Sequence, residues 1–162
     1  MATGSDPAVT GVTVILNTPD DWFAWLFIRQ DVADCHGLWE YINPDVAKEN
    51  LPELTESPEP QLTDYKARAT KLSDLDAEDR KSYRWECDRW ERRHSEYRTH
   101  VRAMADLNID ISMTIAVRHI HLIMDHETPY DRLVALKRFL CPIDATRRRE
   151  LAPQASHKGQ TR

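Results

Sequence analysis

The chain has 162 residues, 41% of them hydrophobic and 30% charged, with a formal net charge of −5, a composition that supports a packed core and excludes an intrinsically disordered chain. No run approaches the roughly 18 apolar residues of a membrane span, and no basic stretch leads into an apolar one at the N-terminus. The cysteines Cys35, Cys87 and Cys141 are far apart and odd in number, which argues against a disulfide framework and against a thiolate zinc site, since no Cys-x-x-Cys pair occurs.

In chain order, residues 1–16 read as an N-terminal tail whose apolar stretch, 12–16, is too short for a span or a leader. The first helix opens at Thr18-Pro19-Asp20-Asp21: a capping threonine, a proline suited to the first helical position, and two acids that complement the positive end of the helix dipole. Trp22, Trp25, Leu26, Val32 and Ala33 share a face, and Gly37 supplies the C-terminal stop. A short segment, Leu38-Trp39-Glu40-Tyr41-Ile42-Asn43-Pro44, follows and ends at its proline. Residues 44–61 hold Pro44, Pro52, Pro58 and Pro60 among acids and read as an acidic, proline-rich connector.

A second helix is expected from Thr63, including Tyr65, Ala69 and Leu72. The third is the most regular feature: Tyr83, Cys87, Trp90, His94, Tyr97, Val101, Met104, Asn108, Ile111 and Ile115 advance by four and three alternately, a heptad-like stripe. Two readings fit it, packing against its own domain or self-association, with polar His94 and Asn108 setting register. Thr128-Pro129-Tyr130-Asp131 then caps a helix carrying Leu133, Leu136, Lys137 and Leu140 to Cys141-Pro142. Asp144 caps a last helix over 145–151, and residues 153–162 form a basic, disordered tail. Because no glycine lies between Gly37 and Gly159, hairpin turns have few places to form, and the expected class is all-α, with about five to six helices and one long central helix.

Candidate chemistry does not converge. His119 and His121 are two apart and so point in different directions on a helix, and with His126 they match no helical zinc spacing. Adjacent Cys35 and His36 do not face each other on a helix. There is neither a phosphate-cradling Gly-x-x-x-x-Gly-Lys loop nor an Asp-Ser/Thr-Gly triplet. The expectation is a cytoplasmic protein that is not an enzyme, with no catalytic or metal residues, no cofactor, no small-molecule substrate and no membrane partner.

Charge is uneven. Residues 1–79 carry 16 acids and 5 bases, whereas 137–162 carry 2 acids and 7 bases. Arg147, Arg148 and Arg149, with Lys158, are the nucleic-acid candidates: they can neutralise phosphates without reading sequence, or simply solubilise the tail and complement a helix dipole. Trp85 and Trp90 lie among Arg84, Arg89, Arg92 and Arg93. Their spacing puts them on different faces, so core packing and cation–π contact explain them more simply than base stacking.

Two stretches carry a family resemblance. One spans residues 17–44, with Trp22 opening a helix and Leu38, Trp39, Tyr41, Ile42 and Pro44 closing the stretch. The other holds Tyr130, Leu133, Leu136 and Lys137, then Leu140, Pro142 and Asp144. Their order and spacing over residues 17–152 resemble the capsid-like region of the Gag protein of Copia-type LTR retrotransposons, of the fungal type. The resemblance implies a helical domain that self-assembles into oligomers or a particle enclosing RNA. No Cys-x-x-Cys-x-x-x-x-His-x-x-x-x-Cys knuckle occurs, which leaves RNA to the basic C-terminal tail. The self-association stripe is then Tyr83, Cys87, Trp90, Tyr97, Val101, Met104 and Ile111.

Overall fold

A computed structural model describes residues 13–142. They form four α-helices joined by short 3-10 turns: α1 (Trp22–Cys35), α2 (Trp39–Ile42), α3 (Ala77–Met113) and α4 (Pro129–Leu140). Among the described residues no strand occurs, only an isolated bridge between Leu16 and Ile115, and no helix is long and apolar enough to cross a membrane. The expected all-α class with one long helix is the observed one.

Local chemistry fixes the helix ends. The Asp21 carboxylate gathers the backbone N–H groups of Asn17 (3.1 Å) and Thr18 (2.8 Å) and the Thr18 hydroxyl (3.2 Å), which holds a 3-10 turn, Pro19–Asp21, against the start of α1. At the other end Gly37 takes φ +64°. Its N–H donates to Asp34 O and that of Leu38 to Ala33 O, a glycine-dependent reversal that satisfies the terminal carbonyls and drops Leu38 into the core. α3 starts earlier than the stripe indicated, at Ala77, where the Asp76 side chain accepts from Asp79 N. Thr128 caps α4 in the same way, with Pro129 in the first turn.

α3 runs about 55 Å at 1.5 Å per residue, and only its C-terminal third enters the main core. There Leu107 and Ile111, with Ile115 just past the helix end, meet Trp22, Trp25 and Ala33 of α1, Leu38 and Ile42, and Tyr130, Leu133, Leu136 and Leu140 of α4. Leu16 joins them with no exposed surface; Leu16 N donates to Thr114 O and Ala116 N to Leu16 O. A tail ending at residue 16 is therefore too long, because Leu16 is a core residue. A buried leucine or tryptophan of this kind contributes roughly 2 kcal/mol of burial free energy.

The remaining two thirds of α3 project from that core and are accompanied by the chain between Leu51 and Leu75. This stretch runs antiparallel to α3: Glu56 meets His94 (3.1 Å), Ser57 O accepts from Trp90 Nε1 (2.9 Å), and Tyr65 packs edge-on against Tyr83 at 5.9 Å. The helix expected from Thr63 is replaced by two 3-10 turns, Leu62–Asp64 and Leu72–Asp74. Aspartates explain the change. Asp64 accepts from Gln61 N (2.8 Å), and Asp74 from Thr70 N (2.9 Å) and Lys71 N (3.1 Å), so side chains take up backbone donors and close single turns. Between them Arg68, at φ +63°, breaks any continuous helical path.

Candidate interaction surface

The two family-motif stretches meet in space. Trp22, Leu38, Ile42, Tyr130, Leu133 and Leu136 are buried in one core, Pro44 is buried, and Pro142 is half-buried. Trp39 and Tyr41 pack against that core as partly buried residues. Polar contacts tie the same stretches at the surface: the Tyr130 hydroxyl donates to Val46 O at 2.7 Å, Lys48 lies 3.0 Å from Asp131, and Lys137 pairs with Asp45. Thus the motif aromatics and leucines are structural, and Lys137 is a clasp at the rim.

The stripe on α3 splits into two regions. Ile111 is wholly buried. Tyr83, Cys87, Trp90, Tyr97 and Met104 are half-buried and Val101 is exposed, facing the side along which the connector runs. Trp90 stacks on His94 with centroids 4.7 Å apart while its N–H is held by Ser57. The polar stripe residue Asn108 donates through Nδ2 to Glu127 O, so it links α3 to the entry of α4. Where the connector rejoins the core, a groove of about 610 Å³ opens between Leu51, Leu54, Val101, Met104 and Tyr130, with Tyr41 and Asn108 on its walls.

The opposite face of α3 is different. Trp85 is 55% exposed, so it is not a core residue, contrary to the packing expected for it. The Arg89 guanidinium lies 5.3 Å from its ring centroid, and Arg92, Arg93 and Glu96 complete a shallow cleft. The arginines around Trp85 marked this face in the sequence, with the cation–π contact expected there, but the burial expected of the ring is absent. The groove had no such signal, because Leu51 and Leu54 sit in a segment without periodicity.

The histidines stay apart. The stretch Val117–Leu122 is a 3-10 turn rather than an α-helix, and His119 Nε2 lies 2.7 Å from Asn17 O. Among the described residues no group of three or more His, Cys, Asp and Glu side chains is placed to hold an ion. Arg147, Arg148, Arg149, Lys158, Asp144 and the last expected helix lie outside the described residues. Compared with protein-family models, curated proteins and solved structures, the chain matches none of them.

Proposed function

We propose that this chain is a non-enzymatic, Gag-like structural protein that self-associates into oligomers or a capsid-like particle, with RNA held by its basic C-terminal residues. What supports the reading is the joining of the two motif stretches. Residues far apart in sequence, Trp22, Leu38 and Ile42 on one side and Tyr130, Leu133 and Leu136 on the other, close a single helical core and leave a long projecting helix with large exposed side chains. Sedimentation velocity over a concentration series, with and without RNA, tests it. Species that grow with concentration are expected; a strict monomer under both conditions overturns the reading. RNA retention that falls steeply with salt and is weakened by alanine at Arg147, Arg148 and Arg149 is expected of the tail.

A second reading, a Gag-derived helical adaptor, draws on the apolar groove between Leu51, Leu54 and Met104. It expects a monomer or dimer that takes an apolar segment of another protein there.

A further inference from the structure

α3 has two long faces beyond the core; the chain's own connector runs along one and reaches the other only at its start, where Tyr65 lines a cleft with Lys81 and Trp85. The other carries Lys81, Trp85, Asp88, Arg89, Arg92 and Glu96, all exposed except the half-buried Arg89. On a helix these six fall within an arc of about 100°, and the ladder from Lys81 to Glu96 spans about 22 Å. One turn in from its Lys81 end stands a tryptophan with more than half its surface in water, a side chain enriched at interfaces.

The order of groups on this face is self-complementary on reversal. Set against a second copy in antiparallel register, with a two-fold axis between residues 88 and 89, Lys81 meets Glu96, Trp85 meets Arg92, and Asp88 meets Arg89 of the second copy. Each pairing occurs twice, as an isologous contact requires. Arg89 already covers part of the Trp85 ring, and Arg92 of the second copy supplies a further cation for it. We propose that the chain dimerises by antiparallel pairing of α3 with α3 of a second copy through the Lys81–Trp85–Arg92–Glu96 face. This rests on the self-association reading and names its surface. A nucleic-acid strand is the competing occupant, since Arg84 and Arg93 flank the face, but Asp88 and Glu96 share it and Glu86 lies 3.8 Å from Arg89, carboxylates that would repel phosphates.

The test uses the full chain and sedimentation equilibrium, with circular dichroism to verify helix content. Wild-type protein is expected to dimerise, and Trp85→Ala to raise the dissociation constant roughly thirtyfold, the scale of an interface hot spot. Lys81→Glu and Glu96→Lys each place like charges opposite one another and weaken the dimer. The double variant restores opposite pairs with reversed polarity and returns to within about threefold of wild type. That rescue is not expected of a change that merely disturbs the fold. If wild-type protein associates but none of the variants changes the constant, this interface is wrong and self-association stands. If wild-type protein is strictly monomeric, both fail. Variants that lower filter retention of single-stranded RNA while leaving association unchanged also overturn the proposal and assign the face to nucleic acid.

Discussion

Arg29 is buried to 3% exposure inside α1. Its guanidinium lies 5.1 Å from the Trp25 ring centroid, Nη1 donates to Trp25 O at 3.4 Å, and Nε sits 2.9 Å from Asp110 of α3. Burial pushes its pKa down and the Asp110 carboxylate pulls it back, so the counter-ion offsets part of the cost of burying the charge. Beside it Trp25 Nε1 donates to Thr114 Oγ1 at 2.9 Å, completing a polar seam that sets how α1 lies on α3. Removing one partner of such a pair is worse than removing the need for it. Asp110→Ala is expected to cost about 2 kcal/mol, discounted because Asp110 is part-exposed and water can replace some of the lost contact. Arg29→Met, which deletes the buried charge and keeps the apolar stem, is expected to cost less. Denaturant unfolding of both variants checks the order, and a larger loss for Arg29→Met would show that the guanidinium's packing outweighs its charge. Trp22, Trp25, Leu133 and Leu136 were legible as core from their helical spacing. Arg29 was not, because its partner stands on a different helix and nothing in the local pattern marks it.

At the scale of elements, the ends of α1 and α4 were readable to within a turn because capping is local chemistry: Gly37 at positive φ and Thr128 with Pro129 act within a few residues, while Thr18 and Pro19 begin a 3-10 turn, held by Asp21, ahead of the start of α1 at Trp22. The segment 62–76 was misread for the converse reason. Its leucines and Ala69 look helical, but Asp64 and Asp74 offer their carboxylates to backbone donors, and Ala69 and Leu75 are buried through tertiary contact rather than on a helix face. The connector is thus held to α3 by few bonds, chiefly Trp90 Nε1 to Ser57 O and the His94–Glu56 pair. Trp90→Phe keeps an aromatic ring for stacking on His94 and removes the N–H. The loss is about 1 kcal/mol, the net worth of one part-buried hydrogen bond. Proteolytic cleavage within residues 51–61 should then quicken, with hydrogen exchange unchanged in the core part of α3 around Leu107 and Ile111, because weakly held segments open locally. Faster exchange throughout α3 would mean instead that the connector and the core open as one unit.

Across the whole molecule, three aspartates sit at joints: Asp21 where α1 begins, Asp74 just before α3, and Asp131 in the first turn of α4. Each carboxyl lies below the ordinary carboxylate value of 3.8. Backbone N–H groups of Thr18 and Asn17 lower Asp21, and those of Thr70 and Lys71 lower Asp74. At Asp131 burial works against the charge, but hydrogen bonds from Lys48 and Thr128 outweigh it. Acid therefore finds the unfolded chain first: it binds protons near the ordinary value while the folded joints still resist. The stability these groups contribute is fully present above pH about 4 and is lost as pH falls through their lowered folded values. Because the joints connect all parts of the fold, loss at several of them should appear as one steep drop in thermal midpoint rather than as separate steps. Asp131→Asn isolates one contribution, since it removes the ion pair with Lys48 that ties the connector to α4 while nearly preserving shape. Thermal midpoints from pH 7 to pH 2 should show wild type above the variant at neutral pH, with the gap closing below pH 4. A gap that stays constant to pH 2 would mean that Asp131 acts through packing and not through its charge.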